Sequence, residues 1–138
     1  MSAPHFLSSP HPFRTAVESR DLDAVMASMD DEVRLHSPIA FRPFSGHEQV
    51  RQVLAHVLDV LEDFHYVEEL AAPASHALVF RAHIGQTQVH GLDLLTLDDE
   101  GQVTDLTVMV RPLSAAIALA EAMAPRVGHL AKASAAGQ

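Results

Sequence analysis

The spacing of apolar residues is helical in the first half of the chain and strand-like in the second. Phe13, Ala16 and Val17 share one helical face, predicting a helix over Phe13 to Arg20. Asp21 reads as the N-cap of a second short helix with Leu22, Val25, Met26 and Met29 inward, ending at the acidic turn Asp30-Asp31-Glu32. Val33 to Ser37 alternates and stops at Pro38, a short strand; a loop from Ile39 to Ser45 closes at Gly46. From about His47 to Asp63, Val50, Val53, Leu54, Val57, Leu58 and Leu61 line one face and Gln49, Gln52, His56, Asp59 and Glu62 the other, the clearest amphipathic helix in the chain. Beyond it the period falls to two. Strands are predicted over Phe64 to Leu70, Ser75 to Ile84, Thr87 to Leu97 and Val103 to Arg111, with turns at Gly85-Gln86 and at Asp98 to Gly101. Pro112 ends the last strand, an Ala-rich helix covers Leu113 to Met123, and Pro125 interrupts it. The order α-α-β-α-β-β-β-β-α describes an α+β domain with a curved antiparallel sheet wrapped on helices. Its expected boundaries are an extended arm over residues 1–12, rich in proline, one domain over 13–125 and a tail over 126–138.

The tight turn at Gly85-Gln86 sets a register in which Ala82 faces Val89, Phe80 faces Gly91 and Leu78 faces Asp93. One sheet face then carries Leu78, Phe80, Ala82, Val89, Gly91, Asp93, Leu95, Leu106, Val108 and Val110, with Asp93 as its only charge. A carboxylate among apolar neighbours is costly unless paired or protonated, and a neutral acid in a dry pocket can donate a hydrogen bond to a ligand oxygen. The alternative is an Asp93 at the rim, or one paired with an arginine or histidine for structural reasons. The opposite face mixes Val79, Leu92 and Leu94 with Arg81, His83, Gln88 and His90. Apolar residues on both faces of a sheet imply that both are covered, so a homodimer through Val79, Arg81, His83, His90, Leu92 and Leu94 is expected.

Composition narrows the function classes. The 138 residues hold 18 acids against 9 bases, net −9 at pH 7, which argues against nucleic acid and anionic membranes as partners. There is no cysteine, so disulfides and thiol chemistry are excluded. No apolar run approaches a membrane span or a signal peptide, and a cytoplasmic protein is the expectation. Hydrophobic residues make up 48% of the chain and the mean hydropathy is +0.10, a surplus suited to a hollow apolar lining plus a dimer face. Ten histidines raise the question of a metal, but none falls in His-x-x-x-His spacing, and His36, His83 and His90 lie on the outward face; surface or interface histidines are expected, with no metal and no cofactor.

The runs Met29 to Pro38, Ser45 to Val50 and Gly91 to Val103 resemble the nuclear transport factor 2-like superfamily, over roughly Phe13 to Pro112. That superfamily includes ketosteroid isomerases, limonene epoxide hydrolases and SnoaL-like polyketide cyclases. The resemblance implies a cone of curved sheet around helices (a cystatin-like α+β barrel), a deep apolar pocket and dimers through the outer sheet face. The isomerase residues carry over only in part. Its general-base aspartate falls at Ser37, its oxyanion tyrosine at Phe13, its supporting tyrosines at Met29 and Leu54, and its protonated aspartate at Asp93. Gly91-Leu92-Asp93 lacks the arginine of the hydrolase's Arg-x-Asp pair, and Arg111 is followed by Pro112 where that enzyme has its other aspartate. A SnoaL-like acid–base aspartate near a histidine is the least damaged match.

The expected ligand pocket therefore comprises Phe13, Met29, Leu35, Leu54, Leu78, Phe80, Val89, Gly91, Leu95, Leu106, Val108 and Val110, with Asp93 as the principal polar group and Ser37 secondary. It would take a small hydrophobic molecule. Isomerase, cyclase or lyase chemistry on a carbonyl compound is one reading; a non-catalytic ligand-binding or protein-interaction dimer lacking the family's catalytic residues is the other.

Overall fold

A computed structural model describes residues 10–136, with side chains as far as Val127. The chain order is α1 (Pro12–Glu18), α2 (Leu22–Ala27), β1 (Met29–His36), β2 (Phe44–Ser45), α3 (His47–Val60), β3 (Glu62–Ala72), β4 (Ser75–Ile84), β5 (Thr87–Leu97), β6 (Val103–Arg111) and α4 (Leu113–Ala136). The strands form one curved, unclosed sheet in the order β2-β1-β6-β5-β4-β3. The expected α+β class is what the chain adopts. Four of the five pairings are antiparallel; β1 runs parallel to β6, a long-range pairing that local alternation does not reveal.

β4, β5 and β6 match their expected limits residue for residue, because alternation and glycine turns mark both ends. The predicted pairs Ala82–Val89, Phe80–Gly91 and Leu78–Asp93 are all present. Gly85 takes φ +58°, the left-handed conformation its turn requires. β1 begins four residues before its predicted start, at Met29, and an irregularity between Met29 and Arg34 interrupts its pairing with β6. α3 ends three residues early because Leu61 is extended and Asp63 takes positive φ.

Both termini differ from expectation. Pro12 opens α1, so the arm cannot run through residue 12; residues 1–9 lie outside the described part. Pro125 does not end the last helix, which continues to Ala136 where an unstructured tail was expected from 126. Proline removes one amide donor from a helix. Here Met123 and Val127 are buried on either side of it, and Arg126 bonds Asp59 of α3 at 2.6 Å, so tertiary contacts hold the helix through the break. No helix of the described residues is long and apolar enough to cross a membrane.

The core lies between the concave sheet face and the helices. Phe13, Val17, Val25, Val50, Val53 and Leu54 pack down onto Leu35, Leu78, Phe80, Val89, Leu95 and Leu106.

Candidate functional site

The concave face is hollow at one end. A cavity of about 280 Å³ is enclosed there by α1, α2, α3, α4, the loop after β1 and the sheet. Of the residues expected to line it, Phe13, Leu35, Ser37, Leu54, Phe80, Asp93, Leu106, Val108 and Val110 do so. Met29, Leu78, Val89, Gly91 and Leu95 do not. They are fully or almost fully buried in solid core away from the void. Gly91 shows why the face is filled at this point: the Phe80 ring lies over it so closely that an added Cβ would overlap ring carbons. The space left by the missing side chain is occupied by the phenyl group across the strand pair.

Other lining residues come from elements that were expected but not assigned to the pocket. Phe64 and Tyr66 enter from β3, and Leu119, Met123 and Val127 from α4, part of which was expected to be tail. Phe64 packs on Phe80 with ring centroids 4.6 Å apart, and Tyr66 meets Phe64 edge-on at 5.0 Å. Among the described lining residues, only Ser37, Tyr66 and Asp93 have polar side chains.

Tyr66 and Asp93 are partners. The Tyr66 hydroxyl donates to Asp93 Oδ2 at 2.7 Å, and both residues are 6% exposed. No buried side-chain oxygen among the described residues lacks a partner, whereas Asp93 Oδ1 has none, so Oδ1 touches open space, and the space it borders is the cavity. Burial pushes the Asp93 carboxyl up to about 7, while the Tyr66 hydrogen bond pulls the other way. Burial, and then the neighbouring carboxylate, drive the Tyr66 phenol well above its ordinary value, so it keeps its proton as donor. The result is an acid near half-ionisation at neutral pH, one oxygen steadied by a phenol and the other open to a ligand. Protonated, it can donate to a carbonyl oxygen; ionised, it can accept from a hydroxyl or remove a proton.

Ser37 also lines the cavity, but its hydroxyl is committed elsewhere. It accepts from the amides of Ile39 (3.2 Å) and Ala40 (3.0 Å) and tightens the loop after β1. His36 lies on the outer face, where its Nε2 meets Asp105 Oδ1 at 2.9 Å beside the Arg34–Asp105 ion pair. His90 is also outward, its Nδ1 3.1 Å from Arg111. Neither reaches the cavity.

Asp93 is not the only ionisable group on the concave side. β3 carries a bulge between Tyr66 and Glu68, after which Glu69 rather than Glu68 faces inward, opposite Leu78. Glu69 accepts from the His11 amide (3.1 Å) and from Arg14 (3.3 Å), and its Oε2 is 2.8 Å from His76 Nδ1. His11, expected in an exposed arm, is 7% exposed: Nδ1 caps α1 by accepting from the Phe13 amide at 3.0 Å, and Nε2 donates to the Gly101 carbonyl at 2.8 Å. Those two bonds define its neutral tautomer, and burial accordingly holds its pKa below the usual value. Burial raises Glu69, yet the bonds from His76, His11 and Arg14 outweigh it and leave this carboxyl below its ordinary value.

Comparison with known proteins decides the family. The SnoaL-like domain matches residues 12–109. The chain belongs to the SnoaL-like family. Among solved structures, an uncharacterised protein with a cystatin-like fold from Silicibacter pomeroyi is 29% identical with a TM-score of 0.81, over 88% of this chain and 89% of that one. A steroid delta-isomerase from Pseudomonas aeruginosa is 35% identical with a TM-score of 0.77, over 83% and 85%. A SnoaL-like protein of unknown function from Burkholderia thailandensis, 22% identical with a TM-score of 0.60 over 80% and 95%, shares the fold. Among curated sequences none matches. This SnoaL-like chain thus resembles both a steroid delta-isomerase and proteins of unknown function.

Proposed function

We propose that this SnoaL-like protein binds a small, neutral, hydrophobic molecule in its cavity and exchanges a proton with an oxygen-bearing carbon framework through Asp93. The observation that carries this reading is Asp93 Oδ1 open to a 280 Å³ apolar void, on a carboxyl whose pKa is pushed up to about 7. The apolar wall, with no cation among the described lining residues, favours a neutral ligand, because an anion would be desolvated without a counter-charge. Asp93 would donate to a carbonyl oxygen or accept the proton lost from the adjacent carbon, the chemistry of an isomerase, cyclase or lyase. The likeness to the Pseudomonas aeruginosa steroid delta-isomerase supports the class of reaction.

One observation favours a second reading, binding without turnover. The position where an isomerase has its general base is Ser37, and the Ser37 hydroxyl is held by its own loop. Asp93 would then serve as a ligand-gripping acid only. In either case we propose a homodimer through the outer face, where Val79, Leu92 and Leu94 are half-buried and Met109 is 49% exposed. The cytoplasmic setting rests on the sequence alone.

2-Tetralone, a compact apolar ketone, tests both readings. Calorimetry measures binding, and NMR in deuterated water measures exchange at its α-carbon. Catalysis requires protein-dependent exchange that Asp93→Asn abolishes while binding persists. Binding without exchange supports the second reading; no binding to this or other apolar ketones of similar size defeats both.

A further inference from the structure

Arg14, on α1, does not touch the cavity, yet it sits behind the residue that completes the Asp93 site. Its guanidinium carbon lies 5.8 Å from the centroid of the Tyr66 ring. It is held there from two sides, by Glu18 on the same helix at 3.1 Å and by Glu69 on β3 at 3.3 Å. The side chain is 24% exposed and that of Glu69 9%, so the contact with Glu69 is sheltered from solvent. The β3 bulge matters here. Strict alternation would turn Glu69 to the outer face; the extra residue returns it to the side where Tyr66 lies and α1 crosses. A bulge, a buried carboxyl and a cation over a ring are thereby brought to one phenol, and that phenol donates to Asp93.

We propose that Arg14 is a positioning residue for the Tyr66–Asp93 pair: held by Glu69, its positive charge fixes the phenol ring and strengthens the O–H donation to Asp93. The proposal rests on the reading of Asp93 as the proton-exchanging group of the cavity. A cation over the face of a phenol stabilises the electron-rich ring and makes the hydroxyl a better donor. Consistently, Arg14 acts on Tyr66 to lower its pKa, against burial, Asp93 and Glu18, which raise it. A stronger donor stabilises the Asp93 carboxylate. Arg14 faces Glu18, Glu69 and Tyr66; His11 and His76 act on it through Glu69, and Tyr66 is the group that faces Asp93.

The sequence provides the probe. Tyr66 is the single tyrosine and there is no tryptophan, so ultraviolet emission reports this residue alone. Emission of a phenol bonded to a carboxyl responds to ionisation of that carboxyl. In the ligand-free protein, Tyr66 emission followed against pH yields a step with a midpoint near 7, and Asp93→Asn abolishes it. If the wild-type step is missing, the reading of Asp93 fails, and this part of the titration identifies that failure by itself. Where the step is present, its position then tests Arg14.

Arg14→Met is expected to raise the emission midpoint by about half a pH unit, while Arg14→Lys, which keeps the charge, restores most of it. An unmoved emission midpoint in Arg14→Met, or equal shifts in the Met and Lys variants, overturn the proposal. Should Arg14→Met fail to fold, Glu69→Gln replaces it: an upward shift smaller than half a unit supports the proposal, and no shift overturns it.

Discussion

Asp93 and Glu69 are both carboxyls on the concave side of one sheet, yet they are displaced from their ordinary pKa values in opposite directions. Asp93 has one neutral partner, the Tyr66 hydroxyl, and an oxygen turned to an apolar void; burial dominates and holds the proton. Glu69 is also sheltered, but Arg14, the His11 amide and His76 gather on its oxygens, and the charged form is favoured. Burial alone therefore does not determine what a carboxyl does. The under-partnered one is suited to chemistry, and the fully partnered one ties α1 to β3 and β4.

The largest test of this contrast is the pH dependence of stability. Asp93 keeps its proton when folded up to about pH 7, whereas unfolded it loses it near the ordinary aspartate value of 3.8. Folded protein therefore binds more protons between those values, and stability falls as pH rises from about 4 to 7, by roughly 4 kcal/mol, then levels off. Glu69 has the opposite sign: its contribution is present above about 4.5 and is lost as pH falls through its lowered folded value. Urea unfolding across pH should show the Asp93 slope vanish in Asp93→Asn, and a slope unchanged in that variant would break the contrast.

Next in size, Glu69→Leu should cost about 2–3 kcal/mol at pH 7, because it leaves Arg14, the His11 amide and His76 without their acceptor. Asp93→Leu should cost less, about 1 kcal/mol, since removing an under-partnered buried acid offsets most of the loss of the Tyr66 hydroxyl's acceptor. Equal losses at the two sites would contradict the account. Gly91→Ala should cost about 1–3 kcal/mol by forcing the Phe80 ring from its seat, and should leave the acid limb belonging to Glu69 in place. The smallest effect belongs to His11→Ala, about 1 kcal/mol from the lost cap of α1, read as a lower melting temperature.

The legibility of the molecule follows the same division. β4 to β6 and the inward position of Asp93 could be read because strict alternation and two glycine turns determine which face each residue joins. Tyr66 and Glu69 could not be assigned together, since the β3 bulge adds one residue to the alternation and no residue type announces it. Continued alternation from Phe64 would have placed Glu68 inside. The signal that was available for Tyr66 is its alternation with Phe64 on one face of a predicted strand; the pairing opposite Phe80 that turns this face inward is visible only in the fold. Pro125 hid only the end of the α4 wall, at Val127, since Leu119 and Met123 fall in the helix that was expected; the contacts of Met123, Arg126 and Val127 offset the local cost of the proline. The division of the concave face into void and solid core depends on how helices seat on a curved sheet, which no local pattern records; Met29, Leu78, Val89 and Leu95 accordingly read as pocket and are core.

The central claim is that Asp93 holds an exchangeable proton at neutral pH in contact with an apolar cavity. Carbon-13 NMR of the aspartate carboxyls, titrated from pH 4 to 9 with the Asp93 resonance assigned by its loss in Asp93→Asn, measures this directly. A single transition for Asp93 with a midpoint near 7 is expected. A midpoint close to 4 would show an ordinary ionised carboxylate and contradict it.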